Sequence, residues 1–179
     1  VQGHRRLTEA FPEAAERISF VYYGLGSTAH GAVDVRPPSF EDPILLCLGR
    51  LTPQKGFDVA LKAFARVQEV LPRARLKVVG EGVEETALKE LAAALGIAAK
   101  VDFTGSVAPR EVFHVINEAT MVLMPSRFEG LPLVALQAAR LERPMISSDV
   151  DGLPELVVNG QSGLVLERND EAALAEAIL

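Results

Sequence analysis

Arg50 and Lys55 stand on either side of a short Pro-containing stretch, "GRLTPQKG". A guanidinium grasps two oxygens of a phosphate, and an ammonium adds a compact point charge. Near a helix start, whose free N–H groups and dipole already attract anions, two such cations repel each other unless an anion lies between them. A diphosphate meets that need; a solvated pair of surface charges is the plainer alternative. The second constellation is "PSRFEGLPLVALQAA", residues 125–139, where the carboxylate of Glu129 leads into an almost wholly apolar run. A carboxylate at a helix start is favourable through the dipole alone, but on a ligand-facing edge it can also accept hydrogen bonds from sugar hydroxyls. Gly130 lets backbone N–H groups come close to a phosphate. Gln137 is the only polar break, eight residues beyond Glu129, or about 12 Å along a helix axis. That exceeds the roughly 5–9.5 Å between paired glycosidase carboxylates, and an amide is no general acid. The spacing suits two grips on one long ligand; a partner inside the protein would satisfy the amide equally.

These residues need elements to carry them. "ISFVYYG", "PILLCLGR", "RLKVVGEG", "KVDFTG", "TMVLMPS", "RPMISSD" and "SGLVLE" read as strands. Most lack in/out alternation, as strands of a sheet covered on both faces should. Between them, Phe57, Leu61, Phe64, Val67 and Leu71 recur at helical spacing, as do Leu88, Leu91, Ala92 and Leu95, and Val112, Phe113 and Ile116. "LPLVALQAARL" is apolar nearly all round and is expected to be the most buried helix. "NDEAALAEAIL" should be capped by Asn169, and Pro109 sits where a first helical turn is expected. Strand alternating with helix predicts an α/β, doubly wound parallel layer. "STAHGAVDVRPPSFED", residues 27–42, reads as a loop, and neither an internal repeat nor a second domain is visible. Ligands of such sheets lie beyond the carboxyl ends of the strands. The residues expected there are Gly49 and Arg50, Glu81 and Gly82, Ser106 and Val107, residues 127–130, and residues 150–155.

Composition removes several classes of function. The 179 residues carry a net charge of −6 with pI near 5.1, which disfavours a non-specific nucleic-acid or anionic-membrane surface. No apolar run is long enough to span a bilayer, and the first twenty residues lack a secretory pattern. A lone cysteine, Cys47, forms no internal disulfide, which fits a reducing, cytoplasmic setting, and its apolar surroundings suggest a buried small hydrophobe. His4, His30 and His114 share no metal-ligand spacing, so no metal or other cofactor is expected. Neither a P-loop nor a G-x-G-x-x-G opening a first helix is present.

"GRLTPQKG", "VVGEG", "FTGSV", "PSRFEGLPLVALQAA", "PMISSDVDGLPELV" and "NGQSGLVL" occur in this order. Together they resemble the C-terminal, donor-binding domain of retaining GT-B glycosyltransferases (glycosyl transferases group 1), the group that includes glycogen synthase, sucrose synthase and many mannosyl- and glucosyltransferases. The similarity runs from about Ile18 to the end. It implies a Rossmann-like doubly wound sheet over residues 1–179, a nucleoside-diphosphate sugar as donor, and transfer to a carbohydrate, lipid or other acceptor with retention and without a metal. Arg50 and Lys55 match the family's basic pair, which stabilises the departing diphosphate. Glu129 matches the first glutamate of its E-x7-E element, which holds hydroxyls of the transferred sugar. The N–H groups of Gly130, Leu131 and Leu133 are implied in binding sugar and phosphate, whereas Pro132 has none to offer. Ser106 and Val107, with Glu81 and Gly82, match turns that frame the nucleoside. Gln137 replaces the family's second glutamate, so ribose binding or nucleotide preference is expected to differ. The acceptor-binding N-terminal lobe is expected to be missing from this chain, leaving it nearly inactive alone. A non-catalytic interaction module of the same fold, or a related sugar-nucleotide epimerase, are the alternatives.

Overall fold

The computed structural model describes residues 2–21, 24–25, 34–130 and 132–179. Its framework starts from the continuous apolar run Ile44–Leu48, which forms strand β1 with Leu45, Leu46 and Cys47 fully buried. A strand buried on both faces needs parallel neighbours whose crossover helices cover those faces. The further strands are β2 (Arg75–Val79), β3 (Val101–Phe103), β4 (Met121–Met124), β5 (Met145–Ser148) and β6 (Gly163–Leu166). All pair in parallel, in the order β3-β2-β1-β4-β5-β6. The order reverses between β1 and β4, and a crevice opens there beyond the strand ends.

Period-two alternation divides the core between the two faces. On one face, Leu45, Cys47, Leu76, Val78, Leu123 and Ile146 pack beneath α2 (Phe57–Val70), α3 (Glu85–Ala94) and α6 (Glu171–Ile178). On the other, Leu46, Val79, Val122, Met124 and Met145 meet α4 (Val112–Glu118) and α5 (Leu133–Arg140). The remaining helix, α1 (Gln2–Ala10), precedes the sheet.

Several expectations are corrected. The stretch "ISFVYYG" is not a strand over residues 18–21, and its Tyr22 and Tyr23 lie outside the described residues, as do residues 27–33 of the expected loop, His30 among them. The described part folds back on α1: His4 Nε2 lies 3.1 Å from the Ile18 carbonyl oxygen, and the His4 and Phe20 rings meet edge to face at 5.3 Å. Val21 remains 89% exposed, so apolar composition alone did not give this segment a sheet partner. The cap of α6 is Asp170, whose Oδ1 accepts the Ala173 N–H at 2.8 Å; Asn169 takes a left-handed φ of 61° just before it. Helix α4 begins at Val112, so Pro109 lies in the preceding turn, which Ala108 and Glu111 close with reciprocal hydrogen bonds. The most buried helix is α2, not α5: α2 buries seven of its side chains, whereas α5 turns Ala135, Gln137 and Ala138 inward and leaves Leu133 half exposed. Small residues let α5 approach the sheet closely without burying its whole circumference.

Cys47 sits in the central strand at 0% exposure, and burial pushes its thiol far above the ordinary range. A thiol that cannot ionise is inert. Aromatic disulfide reagents should therefore label it only after denaturation, as followed by absorbance; rapid labelling of the native protein would contradict this core.

Candidate functional site

Thr52 enters a one-turn 3-10 helix, Pro53–Lys55, and Gly56 then opens α2 at φ 64°. That left-handed conformation suits glycine. There is a second reason for it: a Cβ at Gly56 would stand 2.0 Å from the Pro125 carbonyl oxygen. Close approach here brings the end of β4 against the start of α2, and with it Lys55 against Glu129. Lys55 Nζ donates to Glu129 Oε1 at 2.5 Å, and Ser126 Oγ donates to the same oxygen at 2.8 Å. The two charged side chains are only 17% and 6% exposed. Desolvated charges of this kind persist because they are paired. The anion beside Lys55 is thus the protein's own carboxylate, which corrects the expectation that a bound anion alone would relieve the repulsion.

Glu129 is not at a helix start. Pro132 caps α5, which begins at Leu133, so Glu129 lies four residues before the helix, beyond the dipole's main reach, and the 12 Å estimate along an axis does not apply. The loop holds it instead. Its N–H donates to Asp151 Oδ2 at 2.9 Å, and the Gly152 N–H donates to the Gly130 carbonyl oxygen at 3.2 Å. Asp151 takes a φ of 45°, a left-handed value that aspartate tolerates better than most side chains. Its Oδ1 also accepts from Arg6 of α1 at 3.2 Å. A Cβ at Gly130 would meet nothing within 4 Å, so packing does not require glycine there.

Beside this pair lies a hollow of about 210 Å³, lined by Leu48, Gly49, Arg50, Val79, Gly80, Glu81, Ser106, Val107 and Val112. Gly49 joins the two parts: it lines the hollow, and the Lys55 chain passes over its α-carbon, with Cε 3.4 Å from where a Cβ would be. Arg50 is exposed and makes no ion pair with any described residue. The structure therefore brings together Gly49, Arg50, Glu81, Ser106 and Val107 in one hollow, and Lys55 and Glu129 next to it. Gly82 does not line the hollow; its α-carbon packs against the Leu51 backbone, where a Cβ would stand 2.3 Å from the carbonyl oxygen. Leu133 begins α5, and Leu131 lies outside the described residues. Gln137 is buried at 9% exposure and hydrogen-bonds no described residue through its side chain; it borders neither the hollow nor the ion pair.

Sequence reasoning missed Ser126, Gly80 and the roles of Asp151, Asp58 and Arg127. The fork of Arg127 grips both oxygens of Asp58 at 2.9 Å each. Burial pulls the Asp58 carboxyl upward, but the bonds and charge of Arg127 outweigh it and hold it below the usual range; the same bonds raise Arg127. Among the described residues, no three His, Cys, Asp or Glu side chains gather as metal ligands, and no helix is long and apolar enough to cross a membrane.

The family model described as glycosyl transferases group 1 matches residues 35–179. The glycogen synthase of Mycobacterium tuberculosis (strain CDC 1551 / Oshkosh) is 31% identical over 172 residues, covering 96% of this chain and 41% of that protein. The D-inositol 3-phosphate glycosyltransferase of Nocardia farcinica (strain IFM 10152) is 32% identical over 187 residues, covering 97% and 42%. The chain thus spans well under half the length of these relatives. The crystal structure of Anabaena Alr3699/HepE in complex with UDP and glucose matches with a TM-score of 0.79 over 96% of this chain and 50% of that chain; at 22% identity, this likeness shows the fold.

Two outcomes follow from the close packing and the Asp58 pair. Gly56→Ala should lose about 2 kcal/mol or more in urea unfolding, since strain at φ 64° adds to a backbone clash; an unchanged midpoint would contradict the contact. Because the folded-state pKa of Asp58 is depressed, its contribution is complete above the unfolded carboxyl range, about pH 4, and is lost as pH falls through the lower folded value. Tm against pH should therefore drop less steeply below about pH 4 in Asp58→Asn than in the wild type; parallel acid limbs would exclude the pair.

Proposed function

The chain belongs to the glycosyl transferases group 1 family, and on that premise we propose that it is the donor-binding domain of a glycosyltransferase that moves a sugar from a nucleoside-diphosphate sugar to an acceptor with retention. The observation that carries the reading is the desolvated Lys55–Glu129 pair at the β1/β4 crevice, beside a hollow that Arg50 lines. As the bond between the sugar's anomeric carbon and the phosphate oxygen breaks, its electron pair stays on the diphosphate. Lys55 and Arg50 meet that growing charge, an electrostatic role that is often the largest catalytic term. Side-chain cations do this work in the proposal, so no metal is called for. Glu129 accepts hydroxyls of the transferred sugar, and its bond to Lys55 keeps both groups oriented before the donor arrives. The N–H groups of Gly130 and Leu133 face the same sugar and phosphate in this reading; Leu131 belongs with them by resemblance.

The hollow takes the nucleoside, with Gly49, Gly80, Glu81, Ser106 and Val107 lining it and Gly82 next to them in the turn. We place the acceptor, a carbohydrate, lipid or other hydroxyl compound, on a second, facing lobe, and the enzyme in the cytoplasm. Turnover by this domain alone should be very low, because the reaction needs both reactants oriented and water excluded. A second reading, a binding module without catalysis, draws on Gln137, a buried amide where the family has a carboxylate.

Titration with UDP, GDP and ADP by calorimetry tests the proposal. At least one should bind. Arg50→Ala should weaken it tenfold or more, since a hydrogen bond to a charged group contributes about 1.5–3 kcal/mol. Tm should stay constant, because Arg50 is exposed and unpaired among the described residues. Lys55→Ala should weaken it further. Equal affinity in both variants would end the proposed role. Absence of binding both before and after Gln137→Glu would favour the module.

A further inference from the structure

Lys55 and Glu129 are 74 positions apart in sequence, and one hydrogen bond between two flexible side chains does not fix how closely their backbones approach. Other bonds do. Arg127 Nη1 donates to the Pro53 carbonyl oxygen at 2.6 Å and to Asp58 Oδ1 at 2.9 Å, while Nη2 donates to Asp58 Oδ2 at 2.9 Å. The Arg127 N–H donates to the Gln54 carbonyl oxygen at 2.7 Å, and Gln54 Nε2 returns a bond to the Phe128 carbonyl oxygen at 3.1 Å. Five hydrogen bonds therefore link positions 53, 54 and 58, on both sides of Lys55, to positions 127 and 128, directly before Glu129. None of them uses a Lys55 or Glu129 side-chain atom.

Resting on the donor-site reading above, we propose that Arg127 and Asp58 are positioning residues: their paired forks set the distance between the 3-10 turn and the loop after β4, and so the spacing of Lys55 and Glu129. The Arg127 and Asp58 side chains are 32% and 26% exposed. An ion pair so open to solvent contributes only modestly to global stability, and that modest part is what acid removes. Its geometric effect is larger, because a misplacement of about 1 Å at a reacting centre costs on the order of a hundredfold. The planar guanidinium matters as much as its charge. It reads a carboxylate and a carbonyl oxygen at once, which a lysine ammonium on a flexible stem does not do in a fixed plane.

The test has one arm that needs no ligand. Acylation of Lys55 by acetic anhydride, followed by mass spectrometry of its peptide, reports how well Glu129 holds the amine. Arg127→Gln should label several-fold faster than wild type, approaching the rate of Glu129→Gln. The second arm is titration with UDP, GDP and ADP: Arg127→Gln should weaken the best of them about tenfold with little change in Tm, and the loss should vanish in the Glu129→Gln background. Arg127→Lys, which keeps the charge without the fork, should fall between wild type and Arg127→Gln, and it replaces that variant if the latter folds poorly. Unchanged labelling and affinity would overturn the proposal, as would an affinity loss that persists in full without Glu129. If labelling responds while the wild type binds none of the three nucleotides, the donor reading falls and the positioning of Lys55 stands.

Discussion

A lysine ammonium and a glutamate carboxylate held together away from water constrain everything around them. Neither charge can be left alone in such a place: removing one partner of a buried pair costs about 3–5 kcal/mol, because the other remains desolvated. Lys55 and Glu129 come from distant parts of the chain, so the fold must bring the turn before α2 and the loop after β4 to within one hydrogen bond. The small residues nearby follow from that demand. Gly49 leaves room for the Lys55 chain to lie across it, and Gly56 lets its α-carbon press against the Pro125 carbonyl. Ser126 supplies the second donor to the shared carboxylate oxygen.

The sheet order explains why the pair forms where it does. Connections from β1 and β4 leave toward opposite faces, since α2 covers one core and α5 the other. The crevice lies between those departing chains. The core holds it open from below. Leu45, Leu46 and Cys47 of β1 and Val122 and Leu123 of β4 are essentially inaccessible, so the strand ends that carry the loops have little freedom to shift.

The sheet was legible in the sequence because a doubly covered parallel strand reads as an unbroken apolar run, and "PILLCLG" and "TMVLMPS" have no other reading of comparable length. The helices over residues 57–70 and 85–94 were legible through their repeat. "ISFVYYG" looked the same by composition, yet over residues 18–21 it is not a strand; a run of apolar residues says that burial is favourable, not what will provide it. Within the site, the cations and Glu129 could be singled out by charge at expected strand ends. Their immediate partners could not, because Lys55–Glu129 and Asp58–Arg127 close over 74 and 69 positions, and local pattern carries no record of such pairings. The misplaced start of α5 came from reading Glu129 as a dipole partner, when Pro132 postpones the helix until Leu133.

Glu129 leads into a greasy stretch that Gln137 alone interrupts, and the structure gives the two opposite circumstances. The carboxylate is held by Lys55 and Ser126 through its side chain and by Asp151 through its backbone. The amide lies on the inner side of α5 beside Ala138, with no side-chain hydrogen bond to a described residue. An ionised carboxylate costs more to bury than a neutral amide, so the better-held of the two positions is the one that carries the charge. The carboxylate is thus fixed from several directions beside the hollow, whereas the amide borders neither the hollow nor the ion pair.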